Sequence, residues 1–236
     1  AVLEAMGLAF FTLSIGMGAI MAYGAYMPAE ASIGRTVLTV AILDSVVAIV
    51  AGLMIFSIVF ATPGIEPSAG PGLMFISLPV AFGNMAGGQL LSFLFFFLVV
   101  IAAWSSAISL LEPAVAWLIE EKRISRPKAS IFLSFIVWTL GLGTVLSFNI
   151  AKDIKVAGFT FFDALDFLTA NIMLPLSGFA IAVFAGFIMR RDLVRAQMID
   201  LKAKYLWLWL WLLRYVATIA VLIIFLMGIY DKFSSV

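Results

Sequence analysis

The residues best suited to chemistry in this chain lie inside long apolar runs. Residues 10–19 read FFTLSIGMGA, which places a threonine, a serine and two glycines in the middle of an apolar run that covers residues 2–27. Gly costs about 1 kcal/mol against Ala inside a helix, and glycines two positions apart do not share a helix face. The pattern predicts an interrupted helix whose bare backbone groups hold an anionic group and Na⁺. The alternative is a kink in which the hydroxyls of Thr12 and Ser14 bond back to carbonyls.

Two further positions in apolar runs carry oxygen ligands. Asp44 lies in the run 36–61, where a carboxylate is costly and by default functional. It can bind a cation, carry a proton or be satisfied by a hydroxyl such as that of Ser45. Ser105 and Ser106 lie near the middle of a third run. Their hydroxyls suit a hard cation, although serines are also ordinary packing residues between membrane helices.

The remaining carboxylates have simpler interpretations. Glu112 precedes Pro113, which favours a structural role in satisfying backbone amides freed by the proline. Glu120 ends the third run as a solvated helix end. Asp163 and Asp166 begin the fifth run, where helix N-terminal acids are favoured by the helix dipole.

These residues must be positioned by membrane helices. Of 236 residues, 64% are hydrophobic and 11% charged, and several runs approach the roughly 20 residues that span about 30 Å of hydrocarbon. We therefore predict an all-α integral membrane protein with a single membrane domain over residues 1–236. The predicted spans are 3–27, 36–61, 89–120, 129–148, 167–189 and 205–230. The segment 62–88 contains a short apolar stretch and is predicted to be a re-entrant extracellular loop, with Pro79 breaking its helix.

Charge and composition exclude several functions. The basic residues concentrate in the predicted loops after the first, third and fifth spans, which places those loops in the cytoplasm and the C-terminus outside. A net charge of +1 argues against nucleic acid as a partner. Cys and His are absent, which removes thiolate and imidazole chemistry and, with it, the main routes to an enzyme. The chain begins at Ala1 without a preceding basic region, so we expect either an internal piece of a longer protein or a chain whose start was removed.

Several stretches, in this order, resemble the neurotransmitter:sodium symporters, especially the bacterial members. Residues 10–19 with Tyr23-Gly24-Ala25-Tyr26 are similar to the sixth transmembrane segment of that family. The other matching stretches are 42–56 (seventh segment), 70–82 (extracellular loop four), 102–113 (eighth) and 166–169 (tenth). The resemblance implies segments six to eleven, most of the second half of an inverted-repeat transporter fold. Segments one to five would then be a required partner.

The resemblance also implies site residues. The implied substrate contacts are Phe11, Thr12, Ser14, Met17, Ser106 and Leu110. The implied ligands of two Na⁺ sites are Thr12 and Asp44 for the first, and Ala102, Ser105 and Ser106 for the second, each site being completed by the missing half. The implied gates are Tyr26 and Glu120 on the cytoplasmic side and Asp166 on the extracellular side.

Two departures from the family pattern carry predictions. Asp44 stands where Asn is frequent, and Ala48 stands where chloride-independent members resemble each other in having a carboxylate. We infer that Asp44 supplies the negative charge, so that chloride is not required. Met17 stands where Phe is common, and because methionine is adaptable we predict a pocket that accepts larger hydrophobic or aromatic side chains.

The sequence therefore predicts Na⁺-coupled symport of L-amino acids by alternating access, in the lipid bilayer of the inner (plasma) membrane. One alternative is a proton-coupled carrier that uses Asp44. Another is a fragment that does not transport without its N-terminal half. A channel is disfavoured because the polar residues cluster at one depth instead of lining a continuous face.

Overall fold

The computed structural model describes residues 2–28, 30–62, 70–156, 158–198 and 202–234. The regular structure of these residues is helical apart from an isolated bridge between Val156 and Phe159. The helices are α1 (Val2–Thr12), α2 (Ala19–Ala25), α3 (Ile33–Ala61), α4 (Leu73–Gly83), α5 (Gly88–Glu120), α6 (Arg126–Ser147), α7 (Phe161–Ile188), α8 (Arg191–Gln197) and α9 (203–234).

Five helices of the described chain are long and apolar enough to cross a bilayer, namely α3, α5, α6, α7 and α9. Their side chains point outward to an extent that is typical of lipid-facing helices: Phe60 of α3 is 70% exposed and Ile131 of α6 is 71% exposed. The predicted first span appears as α1 and α2, each shorter than a bilayer. The predicted fifth span begins earlier than expected, because Thr160 and Asp163 form a capping box that starts α7 at Phe161.

The segment after α3 differs from its prediction. Residues 63–69 of the predicted loop lie outside the described residues, and α4 covers the apolar part. The prediction that Pro79 breaks this helix is wrong, because α4 continues through it. A wide turn with i→i+5 bonding, Leu73–Ser77, comes immediately before, and Pro79 falls in the first turn of the α-helical part. A missing amide hydrogen is tolerated at such a helix start.

The described chain divides into two compact units. The first comprises residues 37–108. Its core is formed by Val59 of α3 with Leu78 and Phe82 of α4, all nearly or fully inaccessible to solvent. Phe95 of α5 packs against this core, with its ring centroid 5.7 Å from that of Phe82.

The second unit comprises residues 1–36 and 109–236. Within it α9 packs along α7, and α1 lies against both helices. The helices α7 and α9 approach closely because each end of their contact contains a glycine, Gly186 at one end and Gly228 at the other. Asn171 donates a hydrogen bond of 3.5 Å to the carbonyl oxygen of Gly228, and the side chain of Arg214 lies against Gly186. A separate cluster of Val115, Leu118 and Ala129 packs α5 against α6.

Candidate functional site

The helix interruption predicted from the glycine spacing is present. The amide of Ser14 donates to the carbonyl of Phe11 at 3.1 Å, and the amide of Ile15 donates to the carbonyl of Phe10 at 2.9 Å. Ser14 has φ 52°. This pair of bonds around a left-handed residue is a Schellman motif, which ends α1. The kinked but continuous helix that the sequence left open is therefore not what forms.

Glycine allows the chain to continue beyond this point. Gly16 has φ 88° and Gly18 has φ 82°, values that an L-residue adopts only with strain. Gly18 then precedes the first residue of α2. Ser14 adopts the left-handed conformation without this freedom, at a cost of about 1–2 kcal/mol.

The interrupted backbone packs against α7. A Cβ atom on Gly16 would lie 2.6 Å from the carbonyl oxygen of Leu174 and 3.1 Å from the amide nitrogen of Gly178. The ring of Phe10 in turn packs on Gly178, where an added Cβ would lie 2.5 Å from a ring carbon. Irregular backbone at membrane depth requires such protein cover, and α7 provides it on this side.

The interruption leaves oxygen atoms available. Across the described chain, the carbonyl oxygens of Thr12 and Leu13 accept no hydrogen bond. Carbonyl and hydroxyl oxygens are the ligands that hard cations prefer. Thr12 adds an exposed hydroxyl-bearing side chain at the last turn of α1.

A cavity of about 470 Å³ opens beside the interruption. It is lined by Gly16, Met17, Gly18 and Met21 on one side and by Ser177, Ala180, Ile181 and Phe184 of α7 on the other. Of the predicted substrate contacts, only Met17 lines it. Phe11, whose side chain is 55% exposed, and Thr12 and Ser14 belong to the same interruption but do not line this cavity.

The predicted ligands of the second Na⁺ site lie together on α5. Ser105 donates a hydrogen bond of 2.9 Å to the carbonyl oxygen of Ala102. Ser105 and Ser106 lie three and four residues after Ala102, so each of them neighbours Ala102 on the helix surface. They belong to the unit of residues 37–108, as does Asp44. Leu110, like the interruption, belongs to the other unit.

Asp44 lies on α3 and is half-buried. Within the described residues its carboxylate has neither a hydrogen-bond donor nor a cationic partner, and the hydroxyl of Ser45 instead donates to the carbonyl oxygen of Ala41 at 2.8 Å. The local hydroxyl that the sequence offered as a partner therefore does not satisfy this carboxylate.

The clearest polar cluster in the structure surrounds Glu112, to which the sequence assigned a structural role. Tyr26 donates its hydroxyl hydrogen to Glu112 Oε1 at 2.8 Å, and Arg126 Nη2 donates to Oε2 at 2.7 Å. The Glu112 side chain is only 16% exposed. One turn away, the hydroxyls of Tyr23 and Ser109 are also hydrogen-bonded. Tyr23 and Tyr26 are three residues apart, as are their partners Ser109 and Glu112 on α5. This matching spacing is the sequence signal from which the cluster could have been predicted.

The other predicted gate carboxylates stand apart from this cluster. Glu120 is exposed at the end of α5, and Asp166 is exposed near the start of α7. Among the described residues neither forms an ion pair. Asp163, by contrast, accepts from the Thr160 amide and hydroxyl at 3.1 and 2.7 Å as part of the capping box. Asp163 and Asp166, which received the same interpretation from the sequence, therefore have different surroundings.

Comparison with known proteins connects these features to a family. The family described as "Sodium:neurotransmitter symporter family" matches residues 2–235. A Bacillus subtilis protein named as an uncharacterized sodium-dependent transporter, YhdH, is 31% identical over 228 residues, covering 95% of this chain and 50% of that protein. A Haemophilus influenzae protein, also named as an uncharacterized sodium-dependent transporter, is 30% identical over 226 residues, covering 95% of this chain and 49% of that protein.

A solved structure matches as well. The crystal structure of MhsT in complex with L-phenylalanine superposes with a TM-score of 0.87 at 41% identity, covering 96% of this chain and 51% of that one. The chain therefore spans about half the length of the relatives it matches.

Proposed function

Because the chain belongs to the sodium:neurotransmitter symporter family, we propose that it is part of a transporter that couples L-amino acid uptake to Na⁺ entry by alternating access. The family and its sodium-dependent relatives support a role in membrane transport, and those relatives are transporters and not enzymes. MhsT was crystallised with L-phenylalanine. That complex supports an amino acid substrate and is consistent with the larger hydrophobic or aromatic side chains that Met17 predicts.

The observation that carries this proposal is the interruption between α1 and α2, which packs closely against α7. In the described chain the carbonyl oxygens of Thr12 and Leu13 accept no hydrogen bond at this interruption. We assign Thr12 and Asp44 to one Na⁺ site. Ala102, Ser105 and Ser106 form the proposed second site, supported by their neighbouring positions on α5 and the 2.9 Å bond that already joins two of them. Each site requires further ligands from the first half of the protein, as each of the relatives is about twice as long as this chain.

The proposed substrate pocket lies at the same interruption. Phe11 would cover the substrate, Thr12 and Ser14 would contact its polar end, and Met17 would contact its side chain. Ser106 and Leu110 complete the wall on α5. The exposed side chain of Phe11 and the position of Met17 on the edge of the 470 Å³ cavity support these roles.

We propose that the cytoplasmic gate involves Glu112 as well as Tyr26 and Glu120. The Tyr26–Glu112 bond ties α2 to α5, and Arg126 holds the carboxylate from α6. Opening this side by moving α2 has to break a hydrogen bond to a charged acceptor, worth about 1.5–3 kcal/mol. Asp166, which has no ionic partner in the described chain, is the proposed extracellular gate residue and would pair with a cation of the first half.

The proposed topology has six spans, with α1 and α2 together forming the first. In this arrangement residues 1–236 form one membrane domain of the inner (plasma) membrane. The α4 region is a re-entrant extracellular loop, and the C-terminus lies on the extracellular side. The first half of the transporter supplies the inverted repeat. The negative charge of Asp44 replaces chloride beside the first Na⁺.

The decisive measurement is uptake of a radiolabelled amino acid by the complete transporter, with sodium replaced by choline at constant pH. We expect uptake to stop in choline and to be unaffected when chloride is replaced by gluconate. Unchanged uptake in choline together with stimulation by external acid would establish the proton-coupled alternative. A strict chloride requirement would contradict the role given to Asp44.

A parallel experiment tests the dependence on the first half. Residues 1–236 expressed alone are expected to give no uptake above background, whereas co-expression with segments one to five restores it. Competition by unlabelled amino acids completes the set: Leu, Phe and Trp should compete more strongly than Gly or Ala. A preference for Gly or Ala contradicts the pocket proposed around Met17.

A further inference from the structure

Arg214 is a cation inside the membrane span Lys204–Tyr230. It follows Lys204 by ten residues, which corresponds to about 15 Å of helix rise. Its contact partner Gly186 lies two residues before the end of the span Phe161–Ile188, so the guanidinium lies near the basic end of the α7–α9 pair. A cation inside a span is costly and marks either a pathway or a bound anion. Neither the proposed ion sites nor the proposed gates use Arg214.

The surroundings of Arg214 are built to hold it. Its Nε donates to the carbonyl oxygen of Gly186 on α7. Both helices adopt wide turns here, Phe184–Ile188 in α7 and Leu212–Ala217 in α9, and such turns are frequent at functional sites. The side chain lies close to Gly186, where an added Cβ would be 3.1 Å from Arg214 Cγ. The position of the guanidinium is therefore fixed by the fold of the α7–α9 pair.

One bond does not satisfy this group. A guanidinium carries five N–H donors, and Nε supplies one. Across the described chain the terminal nitrogens Nη1 and Nη2 have no acceptor. The guanidinium carbon lies 5.6 Å from the ring centroid of Phe187, which covers one side without offering an acceptor. A planar pair of terminal N–H groups matches a phosphate or carboxylate.

An aromatic strip leads from Arg214 toward a basic segment. Trp207, Trp211 and Tyr215 are spaced by four residues on α9, so they share a face, and their side chains are 66%, 43% and 50% exposed. The ring of Phe187 meets that of Tyr215 at 6.4 Å. The basic segment contains the exposed side chains of Arg191, Arg195, Lys202 and Lys204.

We propose that Arg214 binds the phosphate of an anionic phospholipid at the α7–α9 pair. The guanidinium donates its terminal N–H groups to the phosphodiester, with its aliphatic stem directed toward the interface. The strip of Trp207, Trp211 and Tyr215 lies on the basic-segment side of Arg214 and contacts the headgroup region, while the acyl chains run in the opposite direction, toward the bilayer centre. The basic residues of the adjoining segment select for net negative charge, as basic pockets between membrane helices do.

The test is native mass spectrometry of the complete transporter equilibrated with an equimolar mixture of phosphatidylglycerol and phosphatidylcholine. Each basic residue near a lipid headgroup favours an anionic lipid by about five-fold. We expect Arg214→Gln to lower the ratio of phosphatidylglycerol to phosphatidylcholine adducts by about that factor. Arg214→Lys, which keeps the charge but loses the planar fork, should give an intermediate ratio.

Two controls keep the result specific. Arg190→Gln removes a cation that is already paired with Asp192 at 2.7 Å, and it should leave the ratio unchanged. Gly186→Ala keeps the charge of Arg214 but places a methyl group against its side chain, and it should lower the ratio. This variant also covers the case in which Arg214→Gln does not fold.

Two outcomes would overturn the proposal. The first is an unchanged ratio in Arg214→Gln or, if that variant does not fold, in Gly186→Ala, which means that Arg214 does not select a headgroup. The second is loss of the bound phosphatidylglycerol on addition of millimolar inorganic phosphate, which means that the site takes a free anion instead of a lipid. Retention of the lipid in phosphate supports a phospholipid as the occupant.

Discussion

Replacing Gly16 by alanine tests the central structural feature with one methyl group. Gly16 lies within the interruption at φ 88°. An alanine Cβ would lie 2.6 Å from the carbonyl oxygen of Leu174 and 3.1 Å from the amide nitrogen of Gly178. Both neighbours are backbone atoms of α7, so neither can rotate away as the end of a side chain would.

The expected cost has two parts. An L-residue in the left-handed region costs about 1–2 kcal/mol, and forcing a methyl group into a packed contact costs about 1–3 kcal/mol. The total is about 2–5 kcal/mol against the native interruption. Even the lower figure reduces the population of the native arrangement about 30-fold relative to alternatives.

The assay is sodium-dependent binding of labelled substrate to the purified complete transporter, together with its thermal unfolding. Gly16→Ala should lose most substrate binding and unfold at a lower temperature. Gly24→Ala is the matched control because a Cβ there meets no atom within 4 Å and the position is helical. That control should match the wild type or exceed its stability, since alanine favours a helix over glycine.

The refuting result is a Gly16→Ala variant that binds substrate and unfolds like the Gly24→Ala control. Such a result means that the chain between α1 and α2 does not need its left-handed backbone or its close contact with α7. The assignment of ion and substrate contacts to this interruption would then lose its structural basis.

Three further predictions concern individual side chains of the complete transporter. Ser14→Gly should raise the free energy of unfolding by about 1 kcal/mol, measured by thermal or denaturant unfolding, because it relieves the left-handed serine at φ 52°; no change would mean that this strain is absent. Tyr26→Phe should increase labelling of a cytoplasm-facing cysteine probe several-fold, because it removes the 2.8 Å bond to Glu112; unchanged labelling would exclude this bond from the gate. Asp44→Asn should make sodium-driven uptake depend on added chloride, and chloride-independent uptake by this variant would show that the carboxylate does not replace the anion.

Much of the backbone was predictable from the sequence. Two glycines spaced by one residue inside an apolar run cannot form a packing stripe, so an interruption was the consistent interpretation of Gly16 and Gly18. Apolar length placed α3, α5, α6 and α9 within a few residues of their observed ends. The start of α7 was misjudged because the capping box at Thr160 lies outside the apolar pattern.

The side-chain partnerships were less accessible. Glu112 looked structural because its neighbour Pro113 offered a local explanation, whereas its observed partners Tyr26 and Arg126 are distant in sequence and come from different helices. The pairing depends on how α2, α5 and α6 meet, which local spacing does not encode. Pro79 failed as a helix breaker for a related reason, since the wide turn that precedes it is not visible in composition.

The wide turn Phe167–Met173 has a consequence for any experiment that maps the faces of α7. A turn with i→i+5 bonding accommodates one extra residue, which advances the angular position of every later side chain by about 100°. Positions before and after Leu174 therefore follow two helical wheels that are out of phase. A cysteine-accessibility scan of α7 should show two periodic patterns with an offset at this point, and a single uninterrupted wheel would assign residues such as Ser177 and Phe184 to the wrong side of the helix.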